Sequence, residues 1–287
     1  MTWFTLALIT LFCYGIQNFL FKVSAENKYN SALTTFAFFS TVTIISALLF
    51  FILGQQITNI YQLLFFATLN AGCFFVFTIT KIEALKHIEA SLVYPLIRLS
   101  TVVVILFSLV YFQDKLNHFQ ILGLVLAVLA MLLLTKKDPT ALKKQNFFKA
   151  GLILAFVSLF FGAFSTISSK FAAMHVNLLG FIAVSYFINS IFSLIFIRKM
   201  QSGNETISPY PALRLGMLIG LINFLGFYSL LKAFALGPLS IIAALHSFSC
   251  IIAIVLAVLV YKEKIHFKRG LGITLAIIAV ILMRIVV

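Results

Sequence analysis

Apolar runs of about twenty residues follow one another along this chain with only short polar interruptions. A run of that length is what an α-helix needs to cross the hydrocarbon core of a bilayer, roughly 30 Å thick, at about 1.5 Å per residue. Few folds are compatible with such a pattern. A soluble core of this size requires polar faces at helical or strand period, and a transmembrane β-barrel requires shorter segments of alternating polarity. Composition agrees: 62% of residues are hydrophobic and 10% charged, with a mean hydropathy of +1.13. Soluble domains run at roughly 45–50% apolar and about 25% charged. The chain therefore reads as an all-α integral membrane protein.

Ten spans are expected, at 3–21, 33–53, 61–80, 90–111, 118–135, 149–169, 178–197, 212–231, 240–260 and 267–286. The first has no Lys or Arg ahead of it, is long enough to span and lacks a convincing cleavage site, so it reads as a retained helix and the mature protein is expected to begin at Met1. Cys13, Cys73 and Cys250 all fall inside spans, where a thiol acts as a small apolar side chain; their spacing offers neither a disulfide framework nor a metal site.

The net charge of +14 follows the spans. With ten of them, the termini and the even-numbered loops share one face, which carries Lys115, Lys170, Lys232 and Arg284. The opposite face carries sixteen basic residues, among them Lys22, Lys81, Lys86 and the cluster Lys136, Lys137, Lys143, Lys144 and Lys149. Cytoplasmic loops are the Lys/Arg-rich ones, so that face is inside and both termini are outside. The basic excess reports topology and contact with anionic membrane lipid, not a nucleic-acid partner.

The chain also repeats itself. Displaced by 149 residues, 84–134 aligns with 233–283 without a gap and with twelve identities in fifty-one positions. The informative matches are Ser91 with Ser240, Ser100 with Ser249, Asp114-Lys115 with Glu263-Lys264, and Gly123 with Gly272. In the first helices Gly15 leads to Lys22 much as Gly162 leads to Lys170. Five spans per half invert the second copy relative to the first, giving 1–135 and 149–287 as two inverted repeats joined by a basic cytoplasmic linker, 136–148. Inverted repeats are a common plan of secondary transporters, whose substrate site lies near mid-membrane between the halves.

An acidic residue, a basic residue and a final helix with an early Gly occur twice, as VYFQDKLNHFQILGLVLAVLAMLLL and LVYKEKIHFKRGLGITLAIIAVILM, and the first helix carries CYGIQNFLFK. These segments resemble the EamA domain of the drug/metabolite transporter superfamily, as two copies covering essentially the whole chain. The resemblance implies a ten-helix carrier that moves small metabolites through a central cavity, multi-pass in a bacterial inner membrane. Asp114 stands where that family usually has Glu, and its proline of the fourth and ninth helices is displaced to Pro95 in one and absent from the other.

Polar residues inside the spans are the candidates for the cavity wall. On the fourth span Ser91, Tyr94, Arg98, Thr101 and Ser108 form one stripe, and Pro95 among them bends the helix and frees a carbonyl. Arg98 lies nine residues, roughly 13 Å, from Glu89, too deep to snorkel easily. The repeat sets Ile97 and Arg98 opposite His246 and Ser247, so the mid-span histidine and the mid-span arginine share a depth. Tyr14, Gln17 and Asn18 cluster on the first span, and Ser158, Gly162, Ser165 and Ser169 share a face of the sixth. On the eighth lie Gly216, Gly220 and Asn223, the glycines reading as packing residues. The expected substrate-binding set is Arg98, Tyr94, His246, Ser247, Tyr14, Asn18, Ser165 and Asn223; a packing or fold-locking role is the alternative for each.

All seven acidic residues sit in loops or at span ends. A neutral-to-positive interior favours an anionic or zwitterionic metabolite, such as an amino acid, over quaternary ammonium compounds. Export of apolar or drug-like compounds is the alternative substrate reading. A membrane enzyme needs a nucleophile with its base or a metal cluster, and the sequence offers no such grouping. No cofactor is expected. The partners expected are a small-molecule substrate and membrane lipid; oligomeric state is not legible. The charge balance yields one direct expectation: a C-terminal reporter that matures only in the cytoplasm stays dark, while one active outside the membrane gives signal, and the reverse result contradicts external termini.

Overall fold

The computed structural model describes residues 2–88, 93, 96–97, 99–134, 145–196, 209–261 and 267–284, and the regular structure in them is helical throughout. Helices open where a short polar side chain takes up the N–H groups that a first turn leaves unpaired. Thr2 accepts from Thr5 N–H ahead of α1 (Trp3–Glu26). Asn30 accepts from Leu33 N–H ahead of α2 (Ser31–Ile52), and Asn59 from the N–H groups of Tyr61 and Gln62 ahead of α3 (Ile60–His87). α4 (Ser100–Phe107) runs into a π-helical turn, Ser108–Phe112, and is followed by α5 (His118–Leu134). The second half contains α6 (Gln145–His175), α7 (Leu178–Phe196), α8 (Pro209–Leu236), α9 (Leu239–Ser247), α10 (Ser249–Tyr261) and α11 (Phe267–Arg284).

Among the described residues, seven segments are long and apolar enough to cross a bilayer, α9 and α10 counting as one; three shorter apolar helices, Ser100–Phe112, His118–Ala130 and Gly270–Met283, accompany them. The chain is a multi-pass membrane protein. The fourth, fifth and tenth expected spans correspond to the shorter pieces.

Several helices outrun the apolar windows that announce them. α1 continues to Glu26, α3 to His87 and α6 to His175, so Lys22, Lys81 and Lys170, read above as loop residues, are helical and no more than 7% exposed. A hydropathy window stops at the first lysine, whereas a helix stops where its backbone finds another partner. Each ammonium is accommodated locally. Lys22 pairs with Glu26, Lys170 donates to the carbonyls of Phe234 and Gly237 at the end of α8, and Lys81 reaches Asn18 Oδ1 at 3.4 Å. Setting these three aside leaves the basic excess on the same face.

The helices pack in a pattern that survives exchange of the two halves. α1 lies on α8 as α6 lies on α3; α2 lies on α8 as α7 lies on α3; α1 meets α9 and α10 as α6 meets α4. The remaining large contacts, α2 with α7 and α5 with α11, are each their own counterpart. Close approach of α8 to α2 depends on two glycines: a Cβ at Gly216 would sit 2.4 Å from the Thr34 carbonyl oxygen, and one at Gly220 would sit 2.6 Å from Thr41 Cβ.

Two buried asparagines tie the halves together. Asn70 of α3 donates to the Ser165 carbonyl and to the Ser168 and Ser169 hydroxyls of α6, each at 2.9 Å. Asn223 of α8 donates to Gln17 Oε1 of α1 at 2.9 Å and accepts from the Tyr186 hydroxyl of α7 at 2.6 Å. Truncating one partner strands the other in a medium without water, at a cost of about 1–3 kcal/mol. Asn223→Ala is therefore expected to lower the melting temperature of the purified protein by several degrees, and an unchanged melting curve would show that the bond contributes nothing.

Candidate substrate cavity

The interior of the fold is organised around two joints. Between α9 and α10 the helical ladder tightens: Phe248 N–H reaches the Leu245 carbonyl at 3.1 Å and Ile251 N–H reaches that of Phe248 at 2.9 Å, both i→i−3 bonds. Ser247 Oγ donates back to the Ala244 carbonyl at 2.6 Å, a bond that competes with the ladder and bends helices. The first half carries the same feature 149 residues earlier, where Leu99 N–H bonds Leu96 and Val102 N–H bonds Leu99, at 3.2 and 3.0 Å. A serine opens the half-helix after each joint, Ser100 and Ser249.

Beside these joints lies a cavity of about 50 Å³. Its polar wall comprises Tyr14 and Gln17 of α1, Lys81 of α3, Ser100 of α4, Ser165, Thr166 and Ser169 of α6, and His246 of α9; Phe74, Phe77, Phe227, Leu230 and Phe234 supply the apolar wall. The lining positions correspond between the halves. Ile97 and His246 are related by the 149-residue offset, as are Lys81 and Leu230. Gln17 and Ser165 each stand five residues before the paired lysines Lys22 and Lys170. The cavity thus sits where the two halves meet, with different residue types at corresponding positions.

Three of the expected binding residues, Tyr14, Ser165 and His246, line it, and the Tyr14 and His246 rings meet edge to face with centroids 4.4 Å apart. Asn18 and Asn223 stand one bond behind the wall. Asn18 donates to Ser249 Oγ at 3.4 Å and receives Lys81, and Asn223 holds Gln17. Ser247 is fully buried, its hydroxyl engaged with Ala244. Tyr94 and Arg98 lie outside the described residues. Gln17 and Ser169 were visible in the sequence as members of polar stripes. Lys81 was not singled out there, although its signal was readable: Ile82, Ala84 and Leu85 continue the buried helical face beyond it.

Lys81 and the ionisable ring of His246 face the cavity, and among the described lining residues there is no carboxylate. Asp114 is engaged elsewhere, accepting from Ser240 N–H at 2.9 Å and from the Ser240 and Ser108 hydroxyls at 2.6 Å each. It thereby caps the start of α9, where a negative charge is favoured by the helix dipole. No group of three His, Cys, Asp or Glu side chains able to hold a metal ion occurs among the described residues.

A solved crystal structure superposes on 98% of this chain and 96% of its own with a TM-score of 0.76; at 13% sequence identity, that likeness shows the fold alone. Among curated proteins none matches the chain in sequence. The model of the EamA-like transporter family matches twice, over residues 1–136 and 149–285. Two matches that together take in nearly the whole sequence make this chain a member of the EamA-like transporter family.

Proposed function

We propose that the protein is a secondary transporter that carries a small anionic or zwitterionic metabolite, such as an amino acid, through the central cavity by alternating access. In this reading its ten spans form two inverted five-helix repeats in the cytoplasmic membrane of a bacterium, with both termini external. The observation that carries it is the meeting of exchange-related residues and exchange-related helix joints at one cavity. Helices interrupted at corresponding places in two halves are a recurrent pointer to a transporter's binding site. At about 50 Å³ the cavity is far below the roughly 300–1,000 Å³ of a ligand pocket. Binding a metabolite therefore requires the halves to separate, and the tightened turns at Leu99 and Phe248 offer places to bend. Arg98, between lining residues Ile97 and Ser100, joins Tyr94, Tyr14, Ser165 and His246 in the proposed site, with Asn18, Ser247 and Asn223 supporting it.

One observation favours a second reading. An aliphatic groove of about 500 Å³, lined by Ile105, Leu106, Leu109, Val125 and Leu129 among others, lies between α4 and α5 and suits an apolar or drug-like compound arriving from lipid. Counterflow in proteoliposomes separates the two. Uptake of labelled amino or organic acids, with no uptake of quaternary ammonium dyes, is the expected result, and Arg98→Gln is expected to abolish it in a protein that still inserts. Uptake confined to apolar or cationic dyes would overturn the anionic reading.

A further inference from the structure

We infer that the side-chain amide of Gln17 is a fixed hydrogen-bond donor to the substrate, with its direction set by the buried pair Tyr186 and Asn223, so that the site takes a solute presenting a carboxylate or carbonyl oxygen to α1. The inference rests on the transporter reading and gives it a contact and a polarity. Gln17 lines the cavity and is only 1% exposed. Its Oε1 accepts from Asn223 Nδ2 at 2.9 Å, and its Nε2 makes no hydrogen bond among the described residues. With the oxygen drawn back to α8, the NH2 group is the end left for the cavity.

The direction of this relay is set behind the wall. A half-turn exchanges the oxygen and nitrogen of an amide, so the choice between them follows from the bonds each can make. Tyr186 decides it. Its hydroxyl lies 2.6 Å from Asn223 Oδ1, and its fully buried ring meets those of Phe38, Phe39, Phe74 and Phe227 with centroids 5.6 to 5.8 Å apart. Were Asn223 turned round, its nitrogen would donate to the tyrosine, and the buried hydroxyl proton would have no acceptor among the described residues. Tyr186 therefore donates, Asn223 accepts from it and donates onward, Gln17 accepts, and a donor remains at the cavity end.

The second half supplies a donor at the corresponding place. Ser165, five residues before Lys170 as Gln17 is before Lys22, is backed by Asn70 of α3, whose Nδ2 donates to its Oγ at 3.3 Å. Thr166 and Ser169 on the same wall spend their protons on their own helix, on the carbonyls of Gly162 and Ser165, whereas the Ser165 proton has no acceptor among the described residues. An acceptor oxygen entering the cavity thus meets donors from both halves of the chain. A group that carries only N–H meets the Gln17 NH2 head-on.

The test uses the full chain in nanodiscs at neutral pH with three probes of similar shape: benzoate, benzamide and benzylammonium. Binding is read by calorimetry, and folding by thermal melting. At least one of benzoate and benzamide, which carry an acceptor oxygen, is expected to bind, with benzylammonium at least tenfold weaker. Loss of the bond in Gln17→Met predicts roughly tenfold weaker binding of the oxygen-bearing probe. Gln17→Glu keeps the shape and the bond from Asn223 but turns an oxygen to the cavity. The preference is then expected to invert in favour of benzylammonium, which a packing role would not produce. Tyr186→Phe releases the relay and is expected to narrow the preference several-fold without altering a lining residue. Equal wild-type affinity for benzylammonium, no binding of either oxygen-bearing probe, unchanged affinity in Gln17→Met, or unchanged preference in Gln17→Glu or Tyr186→Phe overturns the inference. If Gln17→Met does not fold, the other two variants decide. Benzoate binding indifferent to Gln17 would sink the inference and leave the anionic transporter reading standing; Gln17-dependent binding of benzamide alone would sustain the inference and remove the anionic reading.

Discussion

Hydrocarbon offers no hydrogen bonds, and the rest of this structure follows from that. Every polar group carried into the bilayer has to be answered by another part of the protein. Helices satisfy most of the backbone, and serines and threonines that point at lipid or at neighbouring helices bond back to their own turn, as Thr41, Ser46, Thr80 and Ser185 do. Much of what helices cannot settle alone is settled between them, although Asn70 Oδ1 and the Asn189 amide are buried without a hydrogen bond among the described residues. A last-turn carbonyl of α8 is met by Lys170, the Ser240 N–H in the first turn of α9 by Asp114, and the side-chain N–H groups of Asn70 and the amide of Asn223 by groups on α6, α1 and α7. The bonds of Asp114, of Asn70 and of Asn223 to Gln17 cross from one half of the chain to the other.

That placement makes the halves interdependent. α1 packs against α8 and α6 against α3, so the first helix of each half is held by the third of the other. Neither half covers its own buried faces. The exchange-related contacts also bring the joints of the fourth and ninth segments to the same place, beside the cavity. Corresponding helices from the two halves place corresponding positions around it. Single substitutions between the copies, Lys81 against Leu230 and His246 against Ile97, then give the cavity its polarity.

How much of this could be read from the sequence depended on the physical signal. Apolar length is a direct consequence of bilayer thickness, and the helices were legible from it. The repeat carried more information than hydropathy, because the offset that pairs Ile97 with His246 also pairs Leu99 with Phe248, where the joints occur. Lys81 was hidden because a lysine after twenty apolar residues has the appearance of a helix end. Only the continuing buried face, Ile82 and Leu85, distinguishes it. Asn223 was legible as important but not in its role, since a buried amide in a membrane serves a ligand and a neighbouring helix with the same two groups. Asn70 gave no stripe of its own; its partners Ser165 and Ser169 did, and their shared face pointed at it.

The lysines show why charge inside a membrane has to be judged by its surroundings. Lys22, Lys81 and Lys170 are comparably buried, and each removes an ammonium from water. Lys22 spends its charge on Glu26, an ion pair at a helix end, and Lys170 spends its own on carbonyls that α8 leaves open. Both arrangements are complete within the protein and stabilise the place where they occur. Lys81 meets an amide oxygen and two aromatic faces beside a cavity.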